Sequence, residues 1–120
     1  MQGKSIFRGD IWLFAFGQTG DHTIEKTRPV VVIQNNFANL KSSTTIVSAI
    51  RTNPKVGQLP VGVKLDPGAT GLKEVSYADL GHIYTVDSTK LLKKVGSMPA
   101  SDLEKINAAI CISLGIEDYR

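Results

Sequence analysis

Pro29-Val30-Val31-Val32-Ile33 (PVVVI) is the stretch from which the fold can be read. Four β-branched residues in succession suit a strand covered on both faces, because neither alternating set of side chains is polar. Proline has no N–H to give to a ladder, so Pro29 is expected at the strand's first position. Upstream lies a second apolar run, Ile11 to Phe16 (IWLFAF), rich in aromatics and opening after the turn-like Arg8-Gly9-Asp10. It too reads as a strand buried on both faces. Between the two, Gly17 to Thr27 (GQTGDHTIEKT) is polar and glycine-bearing, with the length of a functional or mobile loop.

Downstream, Asn35-Asn36 and Lys41-Ser42-Ser43 bracket a connection, and Thr44 to Ile50 (TTIVSAI) is a third β-branched strand. Asn53-Pro54-Lys55 with Gly57, and then Asp66-Pro67-Gly68, have turn chemistry. Between these turns Val61, Val63 and Leu65 alternate with Gly62 and Lys64, which predicts a strand with one wet face. Val75 to Ala78 and His82 to Val86 read as two shorter strands.

The end of the chain differs in kind. Ser101-x-x-Glu104 has the form of a capping box, in which hydroxyl and carboxylate satisfy each other's backbone amides. Leu103, Ile106, Ile110 and Leu114 then recur at helical spacing, and Gly115 suits the left-handed position past a helix end. A helix over about 102–114 is predicted. Many short strands must curl or be covered to hide their edges. The expected fold is therefore mainly β with α: an antiparallel β-barrel or half-barrel with a C-terminal helix.

The 120 residues make one domain, 1–120, large enough for a core without staples. The single cysteine, Cys111, excludes an internal disulfide framework and a cysteine zinc site. No apolar run reaches the ~18 residues of a membrane span. Met1 to Arg8 has no signal-peptide core. A cytoplasmic protein without a membrane partner is expected. The formal charge of +3 permits a nucleic-acid partner without demanding one.

Several segments together resemble one family. Arg8-Gly9-Asp10-Ile11-Trp12 resembles the RG(D/E)-hydrophobic-aromatic opening of the MazF, PemK and Kid toxins. Thr27 to Asn36 (TRPVVVIQNN) resembles their RPVVVIQND segment, and Thr45 to Ile50 their TxIVAAI strand. Leu59-Pro60 with Val63-Lys64-Leu65 is similar to LPTHVEL, Tyr84 to Asp87 to RTID, and Ile112 to Ile116 to ISLGL. These segments span almost the whole chain, in order and at nearly matching spacings. The resemblance implies an SH3-like barrel of the MazF/PemK/CcdB type and a homodimer. It implies metal-independent cleavage of single-stranded RNA at short sequences, leaving a 2′,3′-cyclic phosphate and a 5′-hydroxyl. It also implies a MazE-like antitoxin whose tail occupies the RNA groove. CcdB relatives share the fold but poison gyrase, so a non-catalytic or gyrase-targeting binding module is the alternative.

Such cleavage uses the RNA's own 2′-hydroxyl and needs a proton acceptor, a proton donor and positive charge on the phosphate. No H-x-x-x-H, cysteine pair or carboxylate cluster reads as a metal site, and no cofactor is expected. Arg28 stands where the polar loop meets the buried strand. By itself it reads as a strand-edge arginine paired to a carboxylate such as Asp10; the resemblance places the family's catalytic arginine on it. A guanidinium there can clamp the scissile phosphate in bidentate fashion.

The family's catalytic threonine follows the IVAAI strand, but here that register holds Arg51, with Thr52 next. Either Thr52 reaches the phosphate, or Arg51 replaces a hydroxyl by a cation, or catalysis is weakened. His22 stands six residues before Arg28, as in Kid-like relatives, and reads as a general base or a solvated loop histidine. Asp79-Leu80-Gly81-His82-Ile83-Tyr84 replaces Arg-Cys-Asp-Gln-Pro-Arg of Kid-like and Leu-Leu-Glu-Gln-Ile-Arg of MazF relatives. His82 is a second candidate for proton transfer, and Tyr84 could stack on a base. Asp79 would share a face with the lost acid on a regular strand, and joins Tyr84, Lys26 and Lys55 as a candidate RNA contact. A half-buried strand position is the alternative for His82 and the plainer reading for Tyr84, and a solvated surface explains Lys55 equally well.

Overall fold

The computed structural model describes residues 4–18 and 25–118. Six strands form a single antiparallel sheet: β1 (Asp10–Gln18), β2 (Glu25–Val32), β3 (Thr44–Arg51), β4 (Gly62–Leu65), β5 (Ser76–Asp87) and β6 (Leu91–Ser97). Their order is β4-β5-β3-β2-β1-β6, a half-barrel with β4 and β6 at its ends. Two helices accompany it, α1 (Asn36–Lys41) and the longer α2 (Ala100–Ser113). Among the described residues no helix is long and apolar enough to cross a membrane.

The two apolar runs pair with each other in the middle of the sheet. Ile11 lies opposite Val31, Trp12 opposite Val30 and Phe14 opposite Arg28. Their side chains feed opposite faces. Ile11 and Val31 join Ile50, Leu65, Leu80 and Ile106 in one core. Trp12, Phe14, Val30, Val32, Val47 and Leu91 form a second cluster. Burial on both faces is what uninterrupted apolar runs require. The end of the first run departs from this, because Phe16 comes out of the core at 40% exposure.

The Arg8-Gly9-Asp10 turn sets the start of β1. Asp10 is buried, and its carboxylate accepts the Phe7 amide at 2.9 Å and meets Lys94 Nζ at 3.3 Å. Gly9 has φ +95°, and a Cβ there would lie 3.2 Å from Leu103 of α2. Only glycine combines that left-handed backbone with so close a helix.

Several expectations are corrected. Pro29 is not the first residue of its strand: β2 begins at Glu25, so the polar segment contributes Glu25 and Thr27 to pairing with β1. The proline is tolerated because the β2–β3 ladder begins only at Val30, opposite Ala49. On that side no partner awaits the N–H it lacks. The strands expected at Val75–Ala78 and His82–Val86 are not separate: Ser76–Ala78 and His82–Val86 both belong to β5, joined through an irregularity at Leu80-Gly81-His82. The connection at Asn36–Lys41 is a helix, started by the Asn35 side chain accepting the Ala38 amide at 2.8 Å. The segment after β5 forms β6, which sequence reading did not predict.

The C-terminal helix is present but starts earlier, and the capping box does not form. Pro99 is the N-cap, without a side-chain cap bond, and its carbonyl accepts the Asp102 amide at 3.0 Å. Ser101 is already the second helical residue, so its hydroxyl is past the position from which it could cap. The other end follows expectation. Gly115 has φ +77°, its amide meets the Ile112 carbonyl at 3.2 Å, and the Ile116 amide meets that of Cys111 at 2.8 Å. These are the two bonds of a Schellman ending. Of the helical stripe, Ile106 is fully buried, Leu103 and Ile110 are partly buried, and Leu114 is exposed.

Candidate active site

The Pro29 junction creates the groove that gathers the candidate residues. β2 and β3 are paired from Val30 to Val32 but not before Val30. Toward its beginning β2 stays with β1, while the end of β3 stays with β5, Arg51 lying opposite Tyr77. A groove of about 490 Å³ opens between them. One wall carries Lys26, Arg28 and Pro29, the other Ala49 to Asn53 with Ser76, and Phe16 and Tyr84 complete the lining. A larger cavity of about 710 Å³, between residues 4–7 and the α1 region, contains none of the candidate residues.

The structure therefore brings together Arg28, Arg51, Thr52, Lys26 and Tyr84, positions separated by more than 50 residues in sequence. Arg28 is exposed on a strand whose neighbours Val30 to Val32 are fully buried, so a rigid element fixes its backbone. Asp10 is engaged by Lys94, and among the described residues no carboxylate forms an ion pair with Arg28. Thr52 is exposed just past the end of β3. Phe16 was not singled out from sequence, since it closes an apolar run; the Gly17 that follows it was the only signal. Its ring meets Tyr84 edge to face, centroids 6.3 Å apart, and Phe14 at 4.7 Å. Two half-exposed aromatic rings thus stand beside the cations, an arrangement suited to bases and phosphates of a single strand.

Asp79 and His82 lie outside the groove lining but are tied to it. Asp79 is buried, its Oδ2 accepting Arg51 Nε at 3.0 Å and meeting His82 Nδ1 at 2.9 Å. The strand is not regular here, so the expectation that Asp79 shares a face with position 81 does not hold. Its carboxylate turns to the Gly81 amide at 3.1 Å. Lys55 is exposed on a short 3₁₀ helix, Pro54–Gln58, away from the groove lining. His22 lies outside the described residues. Among those residues no group of three or more His, Cys, Asp or Glu is placed to hold a metal ion.

A family model of the PemK-like, MazF-like toxins of type II toxin–antitoxin systems matches residues 7–114. The chain belongs to this toxin family. It is 31% identical to the Bacillus subtilis endoribonuclease EndoA over 114 residues, 95% of this chain and 98% of that one. It is 32% identical over 113 residues to the endoribonuclease MazF of Staphylococcus saprophyticus, covering 94% of each. Its fold is similar to a mycobacterial endoribonuclease solved in complex with its cognate antitoxin (TM-score 0.79, 20% identity, 95% and 99% of the chains). It is similar also to a MazE–MazF structure from Deinococcus radiodurans (TM-score 0.77, 18% identity, 95% and 99% of the chains). The fold of the toxin is thus that of MazF structures, and the groove is described on a frame shared with them.

Proposed function

We propose that this toxin is an endoribonuclease that cuts single-stranded RNA at short sequences, without a metal, leaving a 2′,3′-cyclic phosphate and a 5′-hydroxyl. The observation that supports it most is the groove at the β2–β3 parting, which Arg28 lines together with Arg51, Thr52 and two exposed aromatic rings. Arg28 clamps the scissile phosphate and offsets the charge that develops on it. Thr52 supplies a hydroxyl to a phosphate oxygen, with Arg51 adding positive charge. Lys26 follows the backbone of the RNA, and Lys55 extends that path beyond the groove. Proton transfer falls to His22 or His82. The working form is a homodimer in the cytoplasm, and a MazE-like antitoxin peptide competes with RNA for the groove. That the solved relatives include antitoxin complexes supports the last point.

The experiment is cleavage of a long mixed-sequence RNA in EDTA, with mapping of the ends. Discrete cuts with 5′-hydroxyl termini are expected. No cleavage by the folded protein would overturn the reading in favour of a non-catalytic or gyrase-targeting binding module. That alternative draws on Arg51, which occupies the family's threonine register and is held by Asp79 at 3.0 Å. Tyr84→Ala is expected to raise KM by roughly tenfold with little change in kcat, in line with ~1–3 kcal/mol for a stacked base. Steady-state kinetics on a short oligonucleotide checks it, and an unchanged KM would remove Tyr84 from the binding surface.

A further inference from the structure

The irregularity in β5 is a built feature. Asp79 pairs with Ala49 of β3, but the next paired residue is Ile83, opposite Ser48. Leu80, Gly81 and His82 are therefore looped out of the ladder. Each step of the loop is pinned. The Asp79 carbonyl accepts Ser48 Oγ at 2.9 Å, and the Leu80 amide reaches the Val61 carbonyl at 2.9 Å. The Leu80 carbonyl accepts Ser113 Oγ of α2 at 2.6 Å, and the Gly81 amide meets Asp79 Oδ1 at 3.1 Å. Leu80 itself is fully buried in the core. A bulge anchored in this way re-aims one of its own side chains. That side chain is His82, about half exposed, with Nδ1 at 2.9 Å from Asp79 Oδ2.

An arginine-paired carboxylate can only accept, so the proton of this hydrogen bond sits on Nδ1. The lone pair of a neutral ring is then on Nε2. The same Oδ2 takes Arg51 Nε at 3.0 Å, so one oxygen holds both the histidine and an arginine that lines the groove. This carboxylate fixes the tautomer and orients the ring.

We infer that His82 is the general base of RNA cleavage and Asp79 its positioning residue, an assignment that rests on the endoribonuclease reading above. His82 Nε2 takes the 2′-hydroxyl proton as the 2′-oxygen bonds to phosphorus. The P–O5′ bond breaks and the departing 5′-oxygen is protonated from another donor or water. Asp79 does not touch the RNA; it acts through the ring it holds.

The test is steady-state cleavage of a short RNA by wild type, His82→Ala, Asp79→Asn and the double variant, in EDTA. H82A is expected to lower kcat by roughly a hundredfold, the scale of a lost general base, with KM nearly unchanged. Added imidazole should restore part of its activity. D79N should lower kcat in the wild-type background and have little further effect in H82A, because groups that act as a unit are not additive. The half-exposed histidine can be removed without opening a cavity, so H82A keeps the assignment testable if D79N melts early. Wild-type kcat in H82A would overturn the inference. So would an equal D79N loss in both backgrounds, which would route Asp79 through Arg51 or through folding. A wild type that cuts no RNA would bring down the endoribonuclease reading itself, and this assignment with it.

Discussion

Arg28→Ala is expected to lower kcat for RNA cleavage by about 10²–10³-fold, the scale of ~2.7–4 kcal/mol seen when one preorganised donor to a developing oxyanion is lost. The size follows from where the residue stands. Its strand neighbours Val30, Val31 and Val32 are fully buried, and its cross-strand partner is Phe14. The guanidinium needs no rearrangement of the backbone to meet a phosphate in the groove. Nor does an internal carboxylate compete among the described residues, since Asp10 is occupied by Lys94 and the Phe7 amide. Arg28→Lys should fall between wild type and alanine, because an ammonium keeps the charge but loses the bidentate fork. Single-turnover cleavage in EDTA, beside melting curves of each variant, measures this. A lysine variant as active as wild type would reduce the role of Arg28 to charge alone, and an active alanine variant would remove it from the chemistry.

Much of this frame was legible in the sequence, for a definable reason. Where both faces are buried, as at Ile11, Trp12, Phe14 and Ala15 and in Val30 to Val32, composition leaves little choice. The same holds for the one-sided β4, in which Val63 and Leu65 are buried and Lys64 is exposed. The resemblance pointed to Arg28, Arg51, Thr52 and Tyr84, and the structure collects them in one groove. What stayed hidden depends on single contacts. Of the residues in β6 only Leu91 is fully buried, so Leu92, Lys93 and Lys94 show no alternation to read. Helix α1 has no buried residue and announces itself only through its Asn35 cap. The capping box misled because a serine three residues before a glutamate marks a helix start only if the chain before it is not helical. The bulge that presents His82 is fixed by Ser48, Val61 and Ser113, distant partners that no local pattern reveals.

Ile106→Ala is expected to cost about 2–5 kcal/mol of unfolding free energy, the range for truncating a buried isoleucine and leaving its cavity. Helix α2 holds to the sheet through few side chains. Ile106 is its one large residue with no exposure, joined by Ala109 and the partly buried Leu103 and Ile110. The residues of the same core include Ile11, Val31, Leu65, Leu80 and Met98, drawn from several strands and the turn before the helix. A methyl in place of the isoleucine therefore loosens more than the helix. Against a total of ~5–15 kcal/mol for a domain, such a loss is a large fraction of stability. Urea unfolding should show a lower midpoint at an unchanged slope, the sign of lost stability without a change in the surface exposed. Ile106→Val should cost only about 0.5–1.5 kcal/mol. Ile106 does not line the groove, so kcat measured well below the variant's melting range should stay close to wild type. A loss of activity in the folded I106A protein would instead show that the helix supports the bulge through Ser113 and Leu80, and that the geometry at His82 depends on how tightly α2 is packed.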